Sequence, residues 1–387
     1  MKQYDSPYIK VIDNKSSNSI VYFSSVDVPE GKFNGTSAVE GIDSNIIFVN
    51  CKGNTWYLSG IPHLAETVKE LANFLRNLTD ELSIGKDNPF TLYFGGSMGG
   101  YGALLYGCLN NASKVIATGV ETNLTKAGGY AANLSSFDFS KIVLPNIVEI
   151  AKNSSTHIVL VFGEDSPKDY QDLFPFEKLV NVSIISLPNC GHKVPIQLEK
   201  SLGIKKLLSS TLKGEALLKT INGKLIRYPH ILKMLSGLIN FNAKLVINIL
   251  EQREDIDSTV KAILYENLGR NIHSKNPDKA IDYYKLATLF NPARHATYLS
   301  LANAYLQAGN AYQFKINIEA AITLTKINRT ESVEYQYYLL ADGLNQLKKT
   351  EESLATVTSK LNDVNVNTPL GKLIVTLKEK INNEKRL

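Results

Sequence analysis

Residues 90–107 read "FTLYFGGSMGGYGALLYG". An aromatic, strand-like run gives way to a serine among four glycines, and an apolar helix-like run follows. Gly95, Ser97 and Gly99 form a G-x-S-x-G. A serine on so sharp a strand-to-helix turn sits in a strained backbone conformation. Side chains two positions before and after it would collide with the neighbouring chain, so glycine is needed at both. The helix opening at Met98 aims backbone N–H groups at the turn, where developing negative charge is stabilised. A phosphate-binding loop would carry G-x-x-x-x-G-K-[ST], or G-x-G-x-x-G at the first β–α turn. No lysine follows here.

A nucleophilic serine needs a base, and the base needs an orienting carboxylate. The strand-like "THIVLVFG" (156–163) runs into "EDS", which puts Glu164 and Asp165 at its C-terminal end. The strand-like "VSIISLP" (182–188) runs into "NCGHKVP", which puts His192 in the next loop. Catalytic groups collect at the C-terminal ends of parallel strands. Asp165 is the first choice of acid, because a short side chain on the loop after the strand suits the role. Glu164 and Asp169 are the alternatives. His63, His157, His230, His273 and His295 lie within or beside regular segments and read as ordinary surface or core residues.

Up to about residue 210, strand and helix patterns alternate. "SIVYFSS" (19–25), "NIIFVNC" (45–51) and "KVIATGV" (114–120) are short and apolar, as buried parallel strands are. Leu64, Val68, Leu71, Leu75, Leu78 and Leu82 recur at helical spacing, and a last helix is expected near Pro195. Alternation of this kind implies a mainly parallel sheet covered on both faces. Beyond Lys213 only helical patterns remain. The expected division is 1–212, α/β and catalytic, and 213–387, all-α.

Within the second half, Ala280, Tyr284, Ala287 and Pro292 fall where a tetratricopeptide repeat places its small, aromatic, small and terminating residues. Tyr298, Leu301, Ala302, Tyr305 and Gly309 match the opening of a next unit at a 34-residue period, and Ala321 continues it. Phe314 stands where a small residue is expected. Tyr337, Leu340, Ala341 and Leu344 fit a third unit only with an insertion. Roughly residues 260–360 resemble these repeats. The apolar, lysine-spaced stretch 221–250 suits a helix that caps the repeats or docks them onto the first domain.

The chain has 387 residues, with 44% hydrophobic and 20% charged, as in soluble globular proteins. Its net charge of +5 is scattered, with no basic run interleaved with aromatics, which argues against nucleic-acid binding. Cys51, Cys108 and Cys190 make neither a disulfide framework nor a metal site. Cys190, two residues before His192, reads as a small buried hydrophobe. With no signal-peptide pattern and no membrane-length apolar run, the expected location is cytoplasmic.

Residues 19–205 resemble the α/β-hydrolase superfamily in a minimal form, lacking its first two strands and any long lid. The resemblance implies an acyl-transfer enzyme with Ser97 as nucleophile, His192 as base and Asp165 as acid. It also implies a second oxyanion donor from the loop after the strand at 19–23. The candidates are the N–H groups of Ser24 or Ser25, together with that of Met98. "GGSMGGYGALLYG", "GEDS" and "CGH" are also similar in layout to bacterial capsule and glycoprotein-modifying members, polysaccharide O-acetyltransferases among them. That likeness implies a glycan or small-ester substrate, no tightly bound cofactor, and acetyl-CoA as donor if the acyl group is transferred. Trp56 and Tyr57 are read either as a sugar-stacking rim or as packing beneath a loop. A partner protein or self-association through the repeats is expected. The alternative is a non-catalytic hydrolase-fold protein of glycan assembly or secretion, working through its helices.

Overall fold

The computed structural model describes residues 6–384 apart from 84, 126–128, 136–137, 165, 167–168, 170–171, 188–189, 216, 219–228, 329–332, 363 and 367. It divides into two compact units, Met1–Ile226 and Arg227–Leu387. The boundary lies later than the expected 212/213. The reason is packing: Leu218 is buried in the core of the first unit, with Leu217 against it.

The first unit is built on a seven-stranded sheet. Its strands are β1 (Ile9–Ile12), β2 (Ser19–Phe23), β3 (Asn45–Val49), β4 (Thr91–Gly96), β5 (Lys114–Thr118), β6 (His157–Gly163) and β7 (Val182–Leu187). Their spatial order is β1-β3-β2-β4-β5-β6-β7. All neighbours are parallel except β1, which runs antiparallel to β3 with Ile9 opposite Val49. The sheet therefore begins before Ser19, contrary to expectation. The edge strand β1 is only four residues long and alternates buried Ile9 and Val11 with Lys10, a weak pattern in sequence.

The central strands β2 and β3 are buried at every position, as strands covered on both faces must be. On one face, Ile20, Tyr22, Phe48, Phe94 and Val161 pack with Val194, Leu198 and Leu207. The last three lie on the helices Val194–Ser201 and Ile204–Leu212. On the other face lie Val68–Ser83 and Met98–Leu109. Val68–Ser83 buries Leu71, Leu75 and Leu78, the stripe its sequence spacing predicted. Phe23 stacks on Tyr106 there, with ring centroids 5.9 Å apart. Burying side chains of this size contributes roughly 1.5–3 kcal/mol each.

The second unit is helical among its described residues. Its helices are Pro229–Gln252, Ser258–Ile272, Pro277–Phe290, His295–Gln307, Ala311–Asn328, Glu334–Gln346, Thr350–Lys360 and Pro369–Glu384. Consecutive helices from Ser258 onward pack against one another. Side-chain caps set two of the starts: Asp257 accepts from Thr259 N, and Asn276 accepts from Lys279 N ahead of Pro277. Ala280, Tyr284, Leu301, Ala302 and Tyr305 share one core. Phe314, the residue out of pattern, lies in that core against Gly343. A Cβ on Gly343 would come within 2.2 Å of the Phe314 ring, so the missing side chain makes room for the extra one. Ala311–Asn328 has 18 residues against 14 in Pro277–Phe290. Pro229–Gln252 packs on Ser258–Ile272; residues 221–228 of the apolar stretch lie outside the described residues.

Candidate active site

Ser97 follows β4 directly and has φ 54°, ψ −122°. This is a left-handed backbone that a non-glycine residue adopts at a cost of about 1–3 kcal/mol. The surroundings enforce it. The Ser97 N–H donates to Thr118 O at 2.8 Å. A Cβ on Gly95 would lie 2.1 Å from Gly99 O, and one on Gly99 would lie 2.4 Å from Phe23 O. Glycine is therefore the residue that fits on either side of the serine. Met98 is the first residue of the helix, so its N–H has no intrahelical acceptor.

Ser97 Oγ lies 2.9 Å from His192 Nε2. His192 Nδ1 lies 2.9 and 3.0 Å from the two oxygens of Asp169. An ionised carboxylate only accepts, so Nδ1 carries the proton and Nε2 turns its lone pair toward the serine hydroxyl. Asp169 is 1% exposed and His192 20% exposed, so the hydrogen-bonded line runs from the interior to a reachable end. Its three members come from the exits of β4, β6 and β7.

Ser97 and His192 meet as the sequence predicted. The carboxylate that faces His192 is Asp169, six residues beyond Gly163, where β6 ends. Asp165, the first choice, lies outside the described residues. Glu164 is still in sheet register, its N–H donating to Leu187 O, and its carboxylate accepts from Ser186 Oγ at 2.9 Å. Cys190 is buried and its Sγ donates to Gly191 O.

Two expectations need correction. Trp56 and Tyr57 are fully buried and form no rim. The Tyr57 hydroxyl donates to Ser24 O at 2.6 Å, its ring packs edge-on against Phe23, and the Trp56 ring packs edge-on against Phe139. The donors proposed after β2 are also engaged. The Ser24 N–H donates to Val49 O, and the Ser25 N–H donates to Asn34 Oδ1 at 2.7 Å. Ser24 is still part of the sheet ladder, which takes it out of the role. Ser25 is held by a side chain.

Tyr130 is a neighbour the sequence did not point to. Its ring stacks on the His192 imidazole with centroids 3.8 Å apart. Burial, with the nearby Asp169 charge, pushes its hydroxyl up to about 12, so it stays a neutral phenol at neutral pH. Among the described residues, no cluster of His, Cys, Asp and Glu is arranged to hold a metal ion. No helix among them is long and apolar enough to cross a membrane.

The first unit is an α/β fold with a mainly parallel seven-stranded sheet and Ser97 on the strand-to-helix turn after β4. No family model matches the chain, and no curated protein matches it in sequence. Several solved structures resemble part of the chain. The capsule O-acetyltransferase of Neisseria meningitidis serogroup A is 14% identical, over 51% of this chain and 87% of that one, with a TM-score of 0.37. A glycosylation-associated protein complex (Gap123) of Streptococcus agalactiae is 14% identical, over 54% of this chain and 44% of that one, with a TM-score of 0.37. The carboxylesterase CesB of Bacillus subtilis is 12% identical, over 55% of this chain and 90% of that one, with a TM-score of 0.35.

Proposed function

We propose that the first unit is a serine acyl-transfer enzyme. The observation that carries this reading is the continuous line from Asp169 through His192 to a strained, reachable Ser97. Ser97 Oγ attacks an ester or thioester carbonyl while His192 Nε2 takes its proton. Asp169 holds the Nδ1 tautomer and stabilises the imidazolium that forms. The carbonyl oxygen gathers negative charge beside the Met98 N–H at the helix start. His192 then returns its proton to the leaving group, and an acyl-serine remains. In the second half His192 draws the proton from the acceptor, which attacks the acyl carbon and frees Ser97.

For the acceptor we put a hydroxyl of a bacterial polysaccharide or glycoconjugate ahead of water, with acetyl-CoA as the donor that comes and goes. This choice rests on the sequence likeness of the elbow, the "GEDS" turn and the "CGH" loop to polysaccharide O-acetyltransferases. A binding role for the helical unit, toward the acceptor or a partner, belongs to the same proposal. Incubation with acetyl-CoA or p-nitrophenyl acetate, with and without bacterial polysaccharide, tests it. Acetyl groups appearing on the polysaccharide support transfer. Release of acetate alone makes the protein an esterase. Neither product, together with an unreactive Ser97, supports the non-catalytic alternative.

A further inference from the structure

The segment leaving β5 meets the His192 loop at two places. One is Gly119, at φ 54°. A Cβ there would lie 2.7 Å from His192 O and 3.4 Å from Nδ1, so the loop closes only over a glycine. The other is the Tyr130 ring, face to face with the imidazole at 3.8 Å and 20° from parallel. Tyr130 is itself fastened. Its N–H and that of Ala131 donate to the two oxygens of Glu121, at 2.9 and 2.6 Å. Glu121 is buried, and charge-assisted bonds to backbone N–H groups are strong and directional there.

Bonds at Nδ1 and Nε2 fix two points of the imidazole and leave it free to tilt about the line between them. A flat face held against the ring removes that freedom. Proton transfer from Ser97 depends on the aim of Nε2, and small misalignments slow such steps steeply. The imidazolium formed by that transfer is a planar cation resting on an aromatic face, which stabilises it further.

We propose that Tyr130 is a positioning residue for His192, held in place by Glu121, and that it raises the rate at which His192 activates Ser97. The proposal rests on the acyl-transfer reading above. It is tested by fluorophosphonate labelling of Ser97 in the full chain, measuring the limiting rate and the half-saturating probe concentration. Tyr130→Leu keeps the bulk and loses the flat face. It is expected to lower the limiting rate about tenfold, with half-saturation within about twofold of wild type. Tyr130→Phe keeps the face and is expected to stay within about twofold. Glu121→Gln keeps the tyrosine and weakens its anchor, for an expected loss of about threefold. Tyr130→Leu labelling at the wild-type rate overturns the proposal, as do Leu and Phe variants that lose equally. If Tyr130→Leu does not fold, an unchanged rate in Glu121→Gln overturns it. Wild-type protein that does not label at all overturns the acyl-transfer reading instead.

Discussion

Asp169 meets His192 Nδ1 with both carboxylate oxygens, at 2.9 and 3.0 Å, from a position 1% exposed. A charge held this way has one task, to fix the imidazole tautomer and balance the imidazolium. Asp169→Asn replaces an acceptor by an amide that can donate, so the imidazole turns the wrong tautomer toward Ser97. Turnover is expected to fall about 10³-fold or more with folding preserved. Glu164→Gln, whose carboxylate faces Ser186, is expected to change turnover by less than about tenfold. Steady-state kinetics of the two variants on one ester measures the difference. The opposite ranking would move the acid to Glu164.

Tyr57 separates a structural role from a binding one. Its hydroxyl lies 2.6 Å from Ser24 O and 3.2 Å from Val49 O, joining the loop after β2 to the end of β3. Tyr57→Phe is expected to destabilise the protein by about 1–2 kcal/mol, because it leaves a buried carbonyl short of a donor. KM for a glycan acceptor should not change. Denaturant unfolding and acceptor titration check both halves. Unchanged stability with a raised KM would restore the rim reading.

In the helical unit, Glu266 is buried with Arg294. Arg294 Nε donates to it at 2.7 Å, Thr297 Oγ1 donates at 2.9 Å, and Arg270 bonds the other oxygen. Burial pushes the Glu266 carboxyl up, but Arg294, Arg270 and the hydrogen bonds outweigh it, leaving it below its ordinary value of 4.5. A lowered folded pKa means stability that is complete above 4.5 and is lost as pH falls from there through the folded value. Thermal unfolding of the helical unit should therefore drop in that acid range. Glu266→Gln should remove this acid-range dependence and cost about 3–5 kcal/mol at neutral pH, since Arg294 stays buried without a counter-charge. A Glu266→Gln protein with wild-type melting at neutral pH would contradict this account.

The elbow was legible because its five residues spell out the turn: Gly95 packs on Gly99 four residues on, although the contacts of Gly99 with Phe23 and of Ser97 with Thr118 come from neighbouring strands. His192 was legible from its place after the last strand. The acid was only half legible. Several carboxylates follow β6, and which one reaches Nδ1 depends on how the loop folds back over the sheet. Tyr130 left no trace in the sequence, because a stacking partner brought in from 62 residues away has no spacing rule. Trp56 and Tyr57 stayed undecided in the sequence for a related reason. Aromatics after a strand suit a rim and a core equally, and burial alone tells them apart. In the helical unit, the room that Gly343 leaves for the Phe314 ring is a tertiary matter that sequence spacing does not reveal.

Reactivity of Ser97 tests the central claim most directly. The measurement is labelling of folded wild-type protein by a fluorophosphonate, with Ser97→Ala and His192→Ala alongside. The account predicts one phosphonylated residue, Ser97. It predicts no labelling of Ser97→Ala and at least about 10³-fold slower labelling of His192→Ala. Folded wild-type protein that stays unlabelled, or that labels equally well after Ser97→Ala, would contradict it.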